Sequence, residues 1–389
     1  MKKQKEERKM RIFISSNAIW STSGYGQQIA EFVPLMRDEG YPIGLNSFYG
    51  LEGSFIEHDG IKCYPKIGDV WGSDGVIDHA KEFKADISFT LQDIWVLDPN
   101  NIRKFKNWVP IVPIDHNPVP PAVLERLRMA YRIVTYSEFG YNELKRVGVH
   151  STMIPHTVNT ELFVKKDKKA LRKEFGIPED IFLFGMVAAN KDNPSRKSFQ
   201  EAMDAYMLFR KEHKGTGMYF HTLLQQQGGF PIQEYAKFLG IENEIYHLQP
   251  YEQLFKVKKE DMPKIYSTFD CLLAPSTNGG FEVPIIEAGA CEVPVITNDY
   301  TAMSELVVEG VTGFKVQPSF LRFTPLLSYI GVPSVKGIYE AMEKVYRADR
   351  EKMGKTARER VVKEYDTKTV FKSKWVPFLK KLENELVKT

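Results

Sequence analysis

The chain has 389 residues, enough for two domains of ordinary size, and its 43% apolar and 26% charged residues are those of a soluble globular protein. A net charge of +3 is too balanced to make nucleic acid a general partner. No apolar run approaches the roughly 20 residues that cross a bilayer, and the charged start, MKKQKEERKMR, has no apolar run behind it, so neither a membrane span nor a signal peptide is expected.

The basic residues of that start (Lys2, Lys3, Lys5, Arg8, Lys9, Arg11) form either a solvated end or a peripheral contact with a membrane surface. Arg11 to Ser16 reads as a short strand. It delivers the loop NAIWSTSGYG (17–26) to a helix expected over 27–39. A strand, a Ser/Gly-rich loop and a helix open an α/β domain, with ligands expected beyond the strand's carboxyl end. The loop lacks the third glycine of a dinucleotide fingerprint, so Gly24 and Gly26 are read as a close-approach turn and not as an NAD site.

Further short strands are predicted at 43–47, 87–91, 108–114 and 133–136, with helical patterns between some of them, which implies a parallel sheet. Two strand ends carry polar residues, Gln92-Asp93 and Asp115-His116-Asn117, and Ser137 is placed to cap a helix. The segment IPHTVNTELF (154–163) reads as a crossing between domains, with His156 structural. A second alternation then begins: strands at 181–187, 218–224 and 244–248, and helices at 199–213, 232–239 and 262–268. The stretch 317–334 fits no repeat of it and reads as a loop or a short excursion. Helices are expected over 335–348, 350–364 and 370–387, the last with Phe371, Trp375, Phe378, Leu379 and Leu382 along one side. Cys63, Cys271 and Cys291 are scattered and odd in number, which suits free thiols and a cytoplasmic setting.

The most informative stretch runs from Asp270 to Leu306. It reads as a buried strand, a loop of small residues with Gly279-Gly280, a helix opening at Pro284, and a second strand at 294–297. Proline fits a first helical turn because its missing N–H is not needed there. Bare amides beside a helix start favour an anion, and Glu287, facing outward from the first turn, would suit the neighbouring hydroxyls of a ribose. The local reading is a nucleoside diphosphate site.

Four segments in order resemble the retaining nucleotide-sugar glycosyltransferases of glycosyltransferase family 4 (glycosyl transferases group 1) over nearly the whole chain. They are IPHTVNTELF, GMVAANKDNPSRKSFQEAMDAY, GGFEVPIIEAGACEVPVI and NDYTAMSELVVEGVTGFKV. The resemblance implies a GT-B fold, two Rossmann-like α/β domains facing across a cleft. Residues 1–160 would form the acceptor domain, rejoined by the terminal helix at about 370–389, and 161–369 the donor domain. It implies transfer of a sugar from a UDP- or GDP-linked donor, with retention, no metal and no other cofactor.

On that resemblance Glu287 matches the family's second motif glutamate, implied to hold the ribose, and Gly280, Phe281 and Val283 would offer amides to the diphosphate. Glu305 either matches a further glutamate near base and ribose or is a helix N-terminal acid. Lys197 stands at the motif lysine; the companion arginine has no clear match, Asn190 and Lys191 occupying its neighbourhood, and Arg196 would compensate. His116 matches a histidine implied to touch the transferred sugar; Asp115 either orients its imidazole or caps the next turn. Gly24 and Gly26 would approach the donor phosphates or the acceptor. One departure stands out: the family's first glutamate falls on Gly279. Either Glu282 supplies that carboxylate from three residues along, or it is a helix-start acid facing the dipole.

Two other readings share this architecture, a nucleotide-sugar epimerase or sugar phosphorylase, and a binding-only protein for glycans or nucleotide sugars. No lysine is singled out for the phosphorylase's pyridoxal phosphate. The acceptor stays open among glycans, lipid-linked sugars and small molecules, with modified DNA bases disfavoured by the low charge.

Overall fold

The computed structural model describes residues 8–387; Lys2, Lys3 and Lys5 of the basic start lie outside the described residues. The chain divides into two compact units. Residues 1–113, 119–157 and 367–389 make the first, and 114–118 with 158–366 make the second.

The first unit carries eight strands: β1 (Ile12–Asn17), β2 (Ile43–Tyr49), β3 (Ile56–His58), β4 (Ile61–Pro65), β5 (Ile87–Leu91), β6 (Trp108–Val112), β7 (Val134–Thr135) and β8 (Thr152–Met153). Their order is β3-β4-β2-β1-β5-β6-β7-β8, all parallel except the β3–β4 hairpin. β1, β2, β5 and β6 are buried almost throughout, as strands covered on both faces must be. The helix Gly24–Asp38 covers one face and starts three residues earlier than expected, because Ser23 caps it by accepting from Gly26 N. On the same side the returning C-terminal segment brings Trp375 to stack on Phe32 at 4.9 Å and to meet Phe89 edge-on at 6.3 Å. That segment is helix Thr367–Val370, a π turn over Phe371–Trp375 and helix Val376–Val387.

The second unit holds β9 (Phe182–Val187), β10 (Thr216–His221), β11 (Ile245–Tyr246), β12 (Cys271–Ala274), β13 (Val295–Asn298) and β14 (Gly313–Val316) in the order β11-β10-β9-β12-β13-β14, all parallel. Its apolar runs FLFGMV and CLLA pack between two hydrophobic clusters, one on each face. Residues 318–333 depart from the sequence expectation of a loop. They form an antiparallel ribbon, β15 (Pro318–Phe323) and β16 (Tyr329–Pro333). Its period-2 pattern is hidden because large apolar side chains are exposed on both faces.

In both sheets the chain runs outward in one direction and then returns to run in the other. The reversal falls between β1 and β5 in the first unit and between β9 and β12 in the second. Loops leaving such a pair diverge over opposite faces, and the crevice outside their carboxyl ends is where open α/β sheets bind ligands.

Candidate functional site

At the reversal in the second unit, β9 leads into loop 188–198 and β12 into loop 275–282. The two loops are tied backbone to backbone, Thr277 N donating to Arg196 O at 2.8 Å, and Arg196 Nη1 donates to Asn278 O at 3.0 Å. The helix Val283–Ala290 follows, with Pro284 in its first turn. Its first N–H groups have no acceptor within the helix, and Gly280, Phe281 and Val283 lead into that turn.

The loops converge on one carboxylate. Glu282 is buried and accepts from Lys197 Nζ at 2.6 and 2.7 Å through its two oxygens, while Arg196 Nη1 stands 3.8 Å away. Burial pulls the Lys197 ammonium down to about 8, against the attraction of Glu282, which acts the other way. A Cβ built on Gly279 would lie 2.9 Å from Glu282 Oε1 and 3.2 Å from its Cγ. The Glu282 carboxylate therefore occupies the space into which a side chain at 279 would project. Thr301 brackets the same glycine, receiving Gly279 N at 3.3 Å and donating to Gly279 O at 3.0 Å.

A second polar chain reaches the same loop. His116 is buried, and its Nδ1 lies 2.7 Å from Asp115 Oδ1; the other Asp115 oxygen accepts from Asn278 Nδ2 at 2.9 Å. A carboxylate on Nδ1 keeps the proton there in the neutral ring and leaves Nε2 as the acceptor. Residues 114–118 belong with the second unit, so His116, Asp115, Asn278, Arg196, Lys197 and Glu282 form one connected constellation within it.

One sequence expectation is corrected. Glu287 does not face outward: it lies in the second turn, buried, with Tyr266 donating to its Oε2 at 2.6 Å, because Tyr266 covers that side of the helix. The Asn190 side chain braces a neighbouring loop. Its Nδ2 donates to Leu223 O and Phe230 O, and its Oδ1 accepts from Phe230 N, so the amide is consumed by the loop 223–230. Asn190→Leu is expected to lower stability by about 3 kcal/mol or more in urea unfolding, since three backbone groups lose partners at about 1–3 kcal/mol each, while the folded variant keeps its ligand affinity. Gly26, in the first unit, answers its own loop: a Cβ there would come 2.7 Å from Ser21 O and 2.8 Å from Ala18 O. Gly24, at the same helix start, faces open space, and Glu305 lies in the short helix Met303–Leu306, where Arg360 grips its backbone oxygen. His156 is structural as expected, buried and stacked on Tyr136 at 3.8 Å, and burial pushes its imidazole down to about 3. Asn278 and Thr301 escaped the sequence reading, because no spacing marks a residue that works by bracing a loop.

Among the described residues no group of three or more His, Cys, Asp or Glu side chains is placed to hold a metal ion, and no helix is long and apolar enough to cross a membrane.

Comparison with solved structures decides the architecture. The chain superposes on sucrose-phosphate synthase from Thermosynechococcus elongatus with a TM-score of 0.72 at 14% identity, over 97% of this chain and 99% of that one. It superposes on Anabaena HepE, solved with UDP and glucose, with a TM-score of 0.68 at 15% identity, over 98% and 100%. The fold is GT-B. Within this GT-B chain, residues 231–321 match the family described as glycosyl transferases group 1. A curated relative, the capsular polysaccharide biosynthesis glycosyltransferase CapM of Staphylococcus aureus, is 30% identical over 130 residues, 32% of this chain and 30% of that protein. The matches cover between 16% and 41% of the length of the curated relatives.

Proposed function

We propose that this GT-B protein is a glycosyltransferase that moves a sugar from a nucleoside diphosphate donor to a hydroxyl acceptor, with retention of configuration and without a metal. Lys197, Arg196 and the start of helix Val283–Ala290 receive the diphosphate. Departure of the leaving group builds negative charge on the β-phosphate, and fixed cations with helix amides neutralise it. Glu305 is the carboxylate assigned to the ribose, while Glu287, buried under Tyr266, supports the helix behind the site. His116, oriented by Asp115, faces the transferred sugar.

The observation that carries this reading is the placement of Glu282. Gly279 alone would argue for a binding-only protein, since it removes the carboxylate expected near the anomeric carbon. The Glu282 carboxylate stands 2.9 Å from where a Cβ at 279 would be, which supports the reading that it supplies the negative group beside a cationic sugar transition state. Three buried thiols suit a reducing, cytoplasmic setting.

The test is calorimetric titration of UDP, GDP, ADP and dTDP, followed by turnover of the matching nucleotide sugar with and without acceptor mixtures. Micromolar binding of one diphosphate, with release of that diphosphate from its sugar, is the expected result. Binding of none would sink the donor site, and binding without any turnover would return the protein to the binding-only class.

A further inference from the structure

The ribbon β15–β16 forms a two-stranded sheet of its own, apart from both parallel sheets. The four segments that resemble the family end ahead of it, at Val316. A two-stranded ribbon is marginal by itself, so where its backbone groups find partners is informative. Gly331 N donates to Thr277 O at 2.9 Å. The buried Asn298 amide joins the same two elements, its Nδ2 donating to Ser276 O at 3.0 Å and to Gly331 O at 2.8 Å. Tyr329 O accepts from Tyr300 OH at 2.9 Å and from Asn117 N at 3.3 Å, the second contact being an antiparallel bridge. The Tyr300 ring can lie against β16 because residue 331 is glycine: a Cβ there would come 2.8 Å from Tyr300 Cγ.

One edge of β16 is thus spent on two loops of the candidate site. Thr277 N is itself bonded to Arg196 O. Backbone bonds therefore run from Arg196 through Thr277 to Gly331, and from Tyr329, two residues back along β16, to Asn117. That run ends at the residue next to His116. A side chain completes the attachment: Ser328 is buried, and its hydroxyl donates to Pro118 O. The segment 114–118 is consequently held on both sides of the histidine. Asp115, before it, accepts from Asn278, while Asn117 and Pro118, after it, are bonded to the ribbon.

We propose that β16 is a positioning strand: Ser328 and the Tyr329 backbone seat the segment 114–118, so that His116 keeps one place relative to the loop that carries Glu282. Loops hold a reacting group less precisely than strands do, and a side chain on a loop needs a supporting shell to stay in register. Here a strand supplies that shell. Loss of the Ser328 hydroxyl leaves Pro118 O without this partner and frees the residue two places from the histidine. The diphosphate loops keep their own ties, Thr277 to Arg196 and Lys197 to Glu282. Ser328 therefore acts on the histidine and not on the nucleotide. That the seated histidine serves sugar transfer rests on the transferase reading; the seating itself does not.

The test labels the histidine rings of the full chain with carbon-13 and follows them by NMR, with His116→Gln identifying the His116 signal. In Ser328→Ala that signal is expected to move or broaden, while the signal of His213, whose ring meets Glu343 at 2.6 Å on other elements, stays in place. Turnover of UDP-glucose, GDP-mannose and UDP-N-acetylglucosamine is measured beside it. For whichever donor reacts, kcat should fall about ten- to a hundredfold, the scale on which misplacing a reacting group slows an enzyme. The donor KM and the UDP and GDP affinities should stay unchanged. Ser319→Ala is the control. Its hydroxyl donates to Val332 O at 3.1 Å within the ribbon, so its loss should leave the His116 signal and kcat as they are. An unmoved His116 signal in Ser328→Ala, an undiminished kcat, an equal change in Ser319→Ala, or loss of UDP and GDP affinity would overturn the proposal. Absence of turnover in the wild type would instead remove the transferase reading, and the His116 signal alone would then decide the seating.

Discussion

Glu282→Gly is expected to lower turnover by about 10²–10³-fold, the scale on which removal of one preorganised electrostatic group slows an enzyme. Gly279→Glu in that background is expected to recover most of the loss. The single variant leaves Lys197 buried without its carboxylate, yet the diphosphate brings its own negative charge, so nucleoside diphosphate affinity should hold or rise slightly. Gly279→Glu alone should be worse than either. Its Cβ would stand 2.9 Å from Glu282 Oε1, closer than side-chain atoms pack, so the Glu282 carboxylate must leave Lys197 to make room. Single-turnover release of diphosphate from the nucleotide sugar reads all three variants. Wild-type rates in Glu282→Gly would end the idea that this carboxylate has moved along the loop, and would leave Glu282 as a partner that merely keeps Lys197 in place.

The strand, loop and helix around 271–290 were legible because each rests on local chemistry: an apolar run, small loop residues and a proline at a helix start. The order of such units was equally legible, and with it the parallel sheets. What escaped is what only tertiary packing decides. Glu287 was placed outward from its position near a helix start, but Tyr266, twenty-one residues earlier, closes over it. Asn190 sits where a ligand-binding side chain was expected, and its amide is spent on a loop thirty to forty residues on. The ribbon at 318–333 reads as a loop because a two-stranded ribbon with exposed apolar residues on both faces gives no in–out alternation.

Lys197 offers the second large effect, and pH separates its two roles. Lys197→Met should weaken nucleoside diphosphate binding by about ten- to a hundredfold, the worth of one charge-assisted hydrogen bond of about 1.5–3 kcal/mol. In the wild type the ammonium is pulled down to about 8 by burial, whereas an unfolded lysine titrates near 10.4. The folded chain therefore gives up this proton first. Diphosphate affinity should be full below pH about 8 and fall as pH rises through it, because the ligand meets a neutral amine. Folding stability moves the other way: between about 8 and 10.4 the unfolded chain binds more protons, so this group's contribution to stability increases with pH. Lys197→Arg, whose guanidinium stays charged throughout, should flatten both trends. Calorimetry of the bound diphosphate at pH 7, 8 and 9, set beside urea midpoints at the same values, measures the two slopes. Parallel slopes, or an affinity that ignores pH in this range, would remove Lys197 from the diphosphate site, since a lysine that only anchors Glu282 affects binding and stability together.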